Sequence, residues 1–160
     1  MSIKHKSPKK ELDRIDRKIL QNLQQDGRIS NVELSRRVNL SPSPCLERVK
    51  RLESEGYIEG YGARINAGKL GLGMHAFIQI TLDRTTADVF DHFRESVVDI
   101  PEVAECHMVA GGFDYLLKLR VSDMGAYRTL LGELVELPGV WQTHTYVVIE
   151  DIKQDAGIAI

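Results

Sequence analysis

The 160-residue sequence has no uncharged apolar run approaching the ~18 residues that a membrane-crossing helix requires. No apolar stretch follows its opening lysines either, so neither a span nor a secretion signal is expected, and a cytoplasmic, nucleoid-associated location is. Cysteine is scarce: Cys45 and Cys106 lie in unlike contexts without metal-ligand spacing and read as reduced thiols. The five histidines, His5, His75, His92, His107 and His144, do not assemble a nucleophile, base or metal set, and no phosphate-cradling glycine motif is present. Cys106 and His107 are neighbours on a predicted strand, so their side chains leave opposite faces. An internal repeat equates His107 with His144 and puts them on adjacent strands, where sheet-surface histidines are the simpler reading than a metal pair. No enzyme and no cofactor are expected.

What is present is a globular composition, 42% hydrophobic and 28% charged, of a length that suits two small domains. The overall charge of −2 conceals a division: residues 1–64 hold 14 Lys/Arg against 9 Asp/Glu, and residues 65–160 hold 7 against 14. Such asymmetry fits one half that faces nucleic acid and another that faces something else. Lys4, His5, Lys6, Lys9 and Lys10 make residues 1–10 a basic flexible arm, either solvated or in contact with phosphate.

Helical spacing begins at Asp13, a candidate cap, with Ile15, Ile19, Leu20 and Leu23 on one stripe and Asp26–Gly27 as the stop. Ser30 with Glu33 reads as a capping box for a short second helix carrying Leu34 and Val38, and Asn39–Leu40 breaks it. Ser41–Pro42 opens a third helix, with Pro44 still among its early unpaired donors, Leu46, Val49 and Leu52 as its buried stripe, and Gly56 as its end. Two short helices joined by a tight turn form a helix-turn-helix. Tyr57 to Ile65 alternates as a strand or wing, weakened by Gly60 and Gly62, and Asn66, Gly68, Gly71 and Gly73 mark a hinge.

A third helix lying in a major groove turns its early residues to base edges and its basic flank to phosphates. Ser43, Pro44, Cys45, Glu47 and Arg48 are then the readers, with Glu47 accepting from cytosine and Arg48 bonding guanine; phosphate or a neighbouring side chain competes for each of these two. Arg28, Arg36, Arg37, Lys50 and Arg51 are candidates for backbone contacts, and Asn31 and Ser41, at the helix starts, complete the DNA-facing set.

The second half reads strand, helix, strand, strand, helix, strand over 74–82, 87–99, 103–110, 114–121, 124–137 and 140–151. Ile100–Pro101, Val103 and His107 recur 37 positions later as Leu137–Pro138, Val140 and His144, each copy following a helix and opening a strand. Two such units predict a ferredoxin-like sandwich, with both helices on one face of an antiparallel sheet and the other face in need of a cover. Gly111–Gly112 reads as a two-glycine hairpin turn. With Phe113 and Asp114 it offers backbone N–H groups for a carboxylate and a side chain for an ammonium, the competing use of Asp114 being to bond its own backbone.

Asp13–Arg14–Ile15–Asp16, Asp26 to Ser30, Leu40–Ser41–Pro42 and Cys45 to Val49 resemble the DNA-binding half of the Lrp/AsnC (feast/famine) family of transcriptional regulators. Glu105 to His107, Gly111 to Leu117, Met124 to Arg128, Leu137 to Val140 and Thr145 to Val148 resemble its regulatory domain, so the similarity spans about residues 11 to 153. The resemblance implies an activator and repressor of amino-acid metabolism genes whose domains pair into homodimers, covering the open sheet face, and assemble further into a ring on double-stranded DNA. It also implies a small amino acid bound between dimers at Gly111, Gly112, Phe113, Asp114, Met124, Tyr146, Val147 and Val148; the apolar side chains suit leucine. The expected organisation is α+β: arm 1–10, helix-turn-helix 11–60, hinge 61–73, ferredoxin-like βαββαβ domain 74–153, tail 154–160. The rival reading is an amino-acid-binding or metabolic enzyme subunit whose first helices serve protein contact.

Overall fold

The computed structural model describes residues 11–154 and 157–160; the proposed basic arm lies outside the described residues. The chain divides into two compact units, residues 1–64 with 155–160 and residues 65–154. None of the described helices is long and apolar enough to cross a membrane.

The first unit holds α1 (Arg14–Gln25), α2 (Asn31–Arg37) and α3 (Pro42–Ser54). Its core is Ile19, Leu34, Val38, Cys45 and Leu52, with Leu12, Ile15, Leu23 and Ile58 packed around it. The Asp13 carboxylate caps α1 by accepting from the N–H groups of Ile15 and Asp16, at 2.9 and 2.8 Å. The Ser30 hydroxyl accepts from the Glu33 N–H. Both later helices close by the same device. Asn39 at φ 57° and Gly56 at φ 77° take the left-handed conformation, and the next N–H turns back, Leu40 to the Ser35 carbonyl at 2.8 Å and Tyr57 to the Leu52 carbonyl at 2.9 Å.

Two expectations change here. The buried stripe of α3 starts at Cys45, fully buried, and Leu46 is 42% exposed. Four apolar positions, 45, 46, 49 and 52, fit two stripes a residue apart, and the thiol, a small hydrophobe, takes the inner one. The strand reading of Tyr57 to Ile65 is the second: the segment forms no strand, since among the described residues every strand belongs to the four-stranded sheet of the second unit and a strand exists only where another edge pairs with it. The hinge contains one 3-10 turn, Ala67–Leu70, capped by the Asn66 side chain and ended by Gly71 at φ 77°.

The second unit runs β1 (Met74–Leu82), α4 (Ala87–Val98), β2 (Val103–Met108), β3 (Tyr115–Val121), α5 (Met124–Val135), β4 (Val140–Val147). The sheet order is β2-β3-β1-β4 and every pairing is antiparallel, the ferredoxin-like arrangement. Central strands β1, from Ala76 onward, and β3 alternate burial residue by residue, sending Ile78, Ile80, Leu117 and Leu119 into a core with Phe93 and Val97 of α4 and Leu130 and Leu134 of α5. The register puts Phe77, Gln79, Leu116, Lys118, His144 and Tyr146 on the opposite face, which carries no helix.

The 37-residue repeat is visible in the backbone. Val103 N–H donates to the Ile100 carbonyl and Val140 N–H to the Leu137 carbonyl, each at 3.1 Å, so both copies enter their strands through one turn geometry. Only the second contains a glycine the geometry demands: Gly139 sits at φ 81°, and a Cβ there would lie 2.6 Å from Val89 Cγ1. The repeat does not make His107 and His144 neighbours. They lie on the two opposite edge strands, His107 of β2 pairing with Leu116 of β3 and His144 of β4 with Gln79 of β1, because a twofold relation sends equivalent residues to opposite ends of the strand order.

Candidate nucleic-acid interface and effector site

The third helix is fixed to the first by charge. Asp16, on the inner stripe of α1, is fully buried, and both guanidiniums of α3 close on it: Arg48 Nη1 lies 2.7 Å from Oδ1 and Arg51 Nη2 lies 2.6 Å from Oδ2. Arg48 Nη1 also reaches Asp13 Oδ2 at 2.6 Å, and Arg51 Nη1 reaches Glu55 at 3.3 Å. Asp16 Oδ2 turns back to the Asp13 N–H, so the carboxylate that anchors α3 also completes the reciprocal cap of α1.

These contacts set the acid response. The Asp16 N–H, then the Arg48 guanidinium, holds the Asp13 carboxyl down at about 2, against an ordinary value of 3.8. For Asp16, burial raises the pKa, but Arg51 and Arg48 together outweigh it and the net shift is downward. A carboxyl with a lowered native pKa contributes stability above its unfolded value and loses it as pH falls through the native one. The first unit is therefore expected to lose stability between about pH 4 and pH 2, read as a falling denaturant midpoint of the α1 and α3 amide signals; a midpoint for α1–α3 that does not change over that range would contradict it.

The network reassigns several sequence candidates. Cys45, expected to read bases, lies in the core at 0% exposure and cannot meet a groove edge. Arg48 and Arg51 are paired with carboxylates of α1 and retain 26% and 23% side-chain exposure. The Asn31 amide donates to the Pro42 carbonyl at 2.8 Å and ties α2 to the start of α3. Ser41 precedes α3 without a side-chain capping bond. Ser43, Pro44, Glu47 and Lys50 stay exposed on α3, and Leu46 joins them. Arg28, Arg36 and Arg37 are exposed as well, the last two paired with Glu33 at 3.9 and 3.1 Å. The Asp13–Asp16–Arg48–Arg51 group was missed in the sequence; its signal was Asp16, a charge standing at an inner position of an otherwise apolar stripe with Ile19 and Leu23.

The candidate effector residues are spread between the two ends of one sheet. Val109 to Asp114 connect β2 to β3 beside the end of β1: Asp114 N–H donates to the Ile80 carbonyl at 2.9 Å, and its carboxylate accepts from Leu82 N–H at 2.8 Å. Asp114 thus extends the ladder of β1, the role neither sequence reading gave it. The connection spans six residues, and neither Gly111 nor Gly112 has positive φ, so the two-glycine type I′ turn is replaced by a wider loop. Open space surrounds the Cα of both glycines. Met124, the first residue of α5, half exposed, follows the far end of β3, where Val121 pairs with Met74. Tyr146 and Val147 end β4 beside Phe77 and Ala76, and Val148 N–H donates to the His75 carbonyl at 3.1 Å, running from the middle of β1 towards that same end. His75, buried, contacts the Asp151 carboxylate at 3.1 Å there.

A family model described as winged helix-turn-helix DNA-binding matches residues 12–59, and one described as Lrp/AsnC ligand binding domain matches residues 75–158. The chain is 58% identical to the leucine-responsive regulatory proteins of Klebsiella pneumoniae and Escherichia coli, over 97% of its own length and 95% of theirs. A transcriptional regulator of Neisseria meningitidis solved with L-methionine has a TM-score of 0.88 at 41% identity, over 93% of this chain and 97% of that one. A feast or famine regulatory protein of M. tuberculosis, also complexed with L-methionine, has a TM-score of 0.80 at 35% identity, over 91% and 97%. Both units are covered, one by each model, and the chain belongs to the Lrp/AsnC family.

Proposed function

We propose that the chain is a transcriptional regulator that reads double-stranded DNA with the outer face of α3 and responds to a small amino acid by changing its assembly state. The observation that carries the first part is the division of labour on α3. Arg48 and Arg51 lock the helix to Asp16, which leaves Ser43, Glu47 and Lys50 exposed along one line at i, i+4 and i+7. Glu47 then meets a base edge and Lys50 a phosphate, with Arg28, Arg36 and Arg37 adding backbone contacts. Activation or repression follows from where such a regulator sits, and chromosomal DNA in the cytoplasm is where it works.

The uncovered sheet face, with Phe77, Leu116 and Tyr146 among polar neighbours, suits pairing with a second copy. A dimer of helix-turn-helix units requires half-sites about 34–36 Å apart, or a multiple of that. The effector residues support assembly beyond one chain. The Gly111–Asp114 loop and Met124 are separated by the length of β3, roughly 20 Å at ~3.4 Å per residue, farther than one amino acid reaches, with Tyr146 to Val148 on β4 lying between these two levels. A pocket that uses both the loop and Met124 draws them from two chains, so filling it favours one assembly over another. Leucine is the first candidate, and methionine, bound by two relatives, the second.

Fluorescence anisotropy on a labelled duplex, at low salt, with leucine, methionine or glycine added, tests this reading. DNA binding is expected, with a change in apparent affinity of about 5–150-fold on adding leucine or methionine and none on adding glycine. No binding at low salt favours the enzyme-subunit reading, and an equal response to all three amino acids defeats the proposed pocket.

A further inference from the structure

Residues 157–160 belong to the compact unit that contains α1, although the entire second unit separates them from it in sequence. The Gln24 amide engages both backbone groups of Ile158: Nε2 donates to the carbonyl at 2.8 Å, and the Ile158 N–H donates to Oε1 at 3.1 Å. One turn earlier, Gln21 Nε2 donates to the Ile160 backbone oxygen at 2.7 Å. A side-chain amide that satisfies a residue's N–H and C=O together imitates a neighbouring strand, so it recognises extended main chain rather than a side chain.

Gly157 supplies an independent observation. It adopts φ +82°, and a Cβ on it would run into Cγ, Cδ and Nε2 of Gln24. Glycine is therefore favoured by its conformation, and a side chain here would displace the Gln24 amide from its two bonds to Ile158. Ile160 is half-buried and Ile158 exposed, consistent with contact through the main chain; together they wall a cleft of about 670 Å³ whose other sides are α1 and Tyr57 to Tyr61.

We propose that the flank of α1 carrying Gln21 and Gln24 is a binding site for the Gly157–Ile160 segment of the same chain, a strap that returns the far end of the effector unit to the DNA-binding unit. Residues 65–154 are then attached to that unit at both of their ends, and strap release is a discrete step in any reorientation between the two.

Hydrogen exchange of the full-length chain at the Ile158 amide tests the strap. Protection on the order of 10-fold over the unstructured rate is expected, as for a local opening of modest cost. It should vanish in Gln24→Ala and in Gly157→Ala while the α1 amides keep their protection, and fall partway in Gln24→Glu, which keeps the acceptor and loses the donor. Exchange of Ile158 at the unstructured rate in the unmodified chain overturns the proposal, as does protection that survives Gln24→Ala. Protection that disappears on dilution assigns the segment to a second copy and overturns the strap within one chain.

Discussion

Asp16→Ala is expected to destabilise the DNA-binding unit strongly while leaving the sheet unit intact. Removing one carboxylate strands two guanidiniums that presently share it, at 2.7 and 2.6 Å, and also deletes the reciprocal cap on the Asp13 N–H. Breaking a buried ion pair from one side costs about 3–5 kcal/mol. Arg48 and Arg51, about a quarter exposed at 26% and 23%, regain some water, so the lower end, about 3 kcal/mol, is the appropriate figure. That is a large fraction of the ~5–15 kcal/mol that holds a typical domain. Asp16→Asn, which keeps the shape and one acceptor, should lose less. The check is denaturant unfolding followed separately by α1–α3 and sheet amide signals, together with DNA affinity. A normal midpoint for the α1–α3 signals in Asp16→Ala would show that the network does not hold α3.

Phe93→Ala should damage the other unit by a comparable or larger amount, through packing rather than charge. Phe93 is fully buried on α4, its ring 4.5 Å from that of Tyr115 on β3 at an interplanar angle of 33°, with Phe90 edge-on to the same tyrosine at 6.1 Å. Truncating a buried phenylalanine costs about 3–5 kcal/mol in transfer and cavity terms, and the ring pair adds to it. Phe93→Leu, which fills much of the space, should cost far less. The same two-probe denaturation should show the sheet signals melting early and the α1–α3 signals unchanged, the reverse of Asp16→Ala. A shift below about 1 kcal/mol, the ordinary effect of a point substitution, would mean that α4 is not packed against β3 as described.

Much of the fold was legible because it rests on local rules. Alternation at His75 to Leu82 located β1, the Pro-anchored repeat located the openings of β2 and β4, and Asn39 and Gly56 marked the two helix ends that take left-handed backbone. What escaped the sequence depends on partners far along the chain. Tyr57 to Ile65 alternates like a strand, but a strand exists only where another edge accepts it. Asp114 was weighed as an ammonium receiver or a turn former, whereas its partners are Ile80 and Leu82, more than thirty residues back. For Arg48 the sequence shows the charge and the helix but not the two aspartates, one of them buried, that hold it. The likeness of the candidate effector residues to the family's pattern was visible; that the Gly111–Asp114 loop and Met124 lie at opposite ends of β3 was not, since only strand register reveals it. The 157–160 segment reads as an ordinary tail until Gln24 is placed beside Gly157.

The central claim is that the exposed line on α3 meets DNA while its arginines serve the fold, and the salt dependence of affinity separates the two roles. Each phosphate contact removed lowers the slope of log affinity against log salt by about 1. Lys50→Ala, exposed and without structural partners among the described residues, is predicted to weaken binding to every duplex alike and to lower that slope by about one unit with the fold unchanged. A Lys50→Ala chain that keeps the full slope and affinity of the unmodified protein would contradict the account.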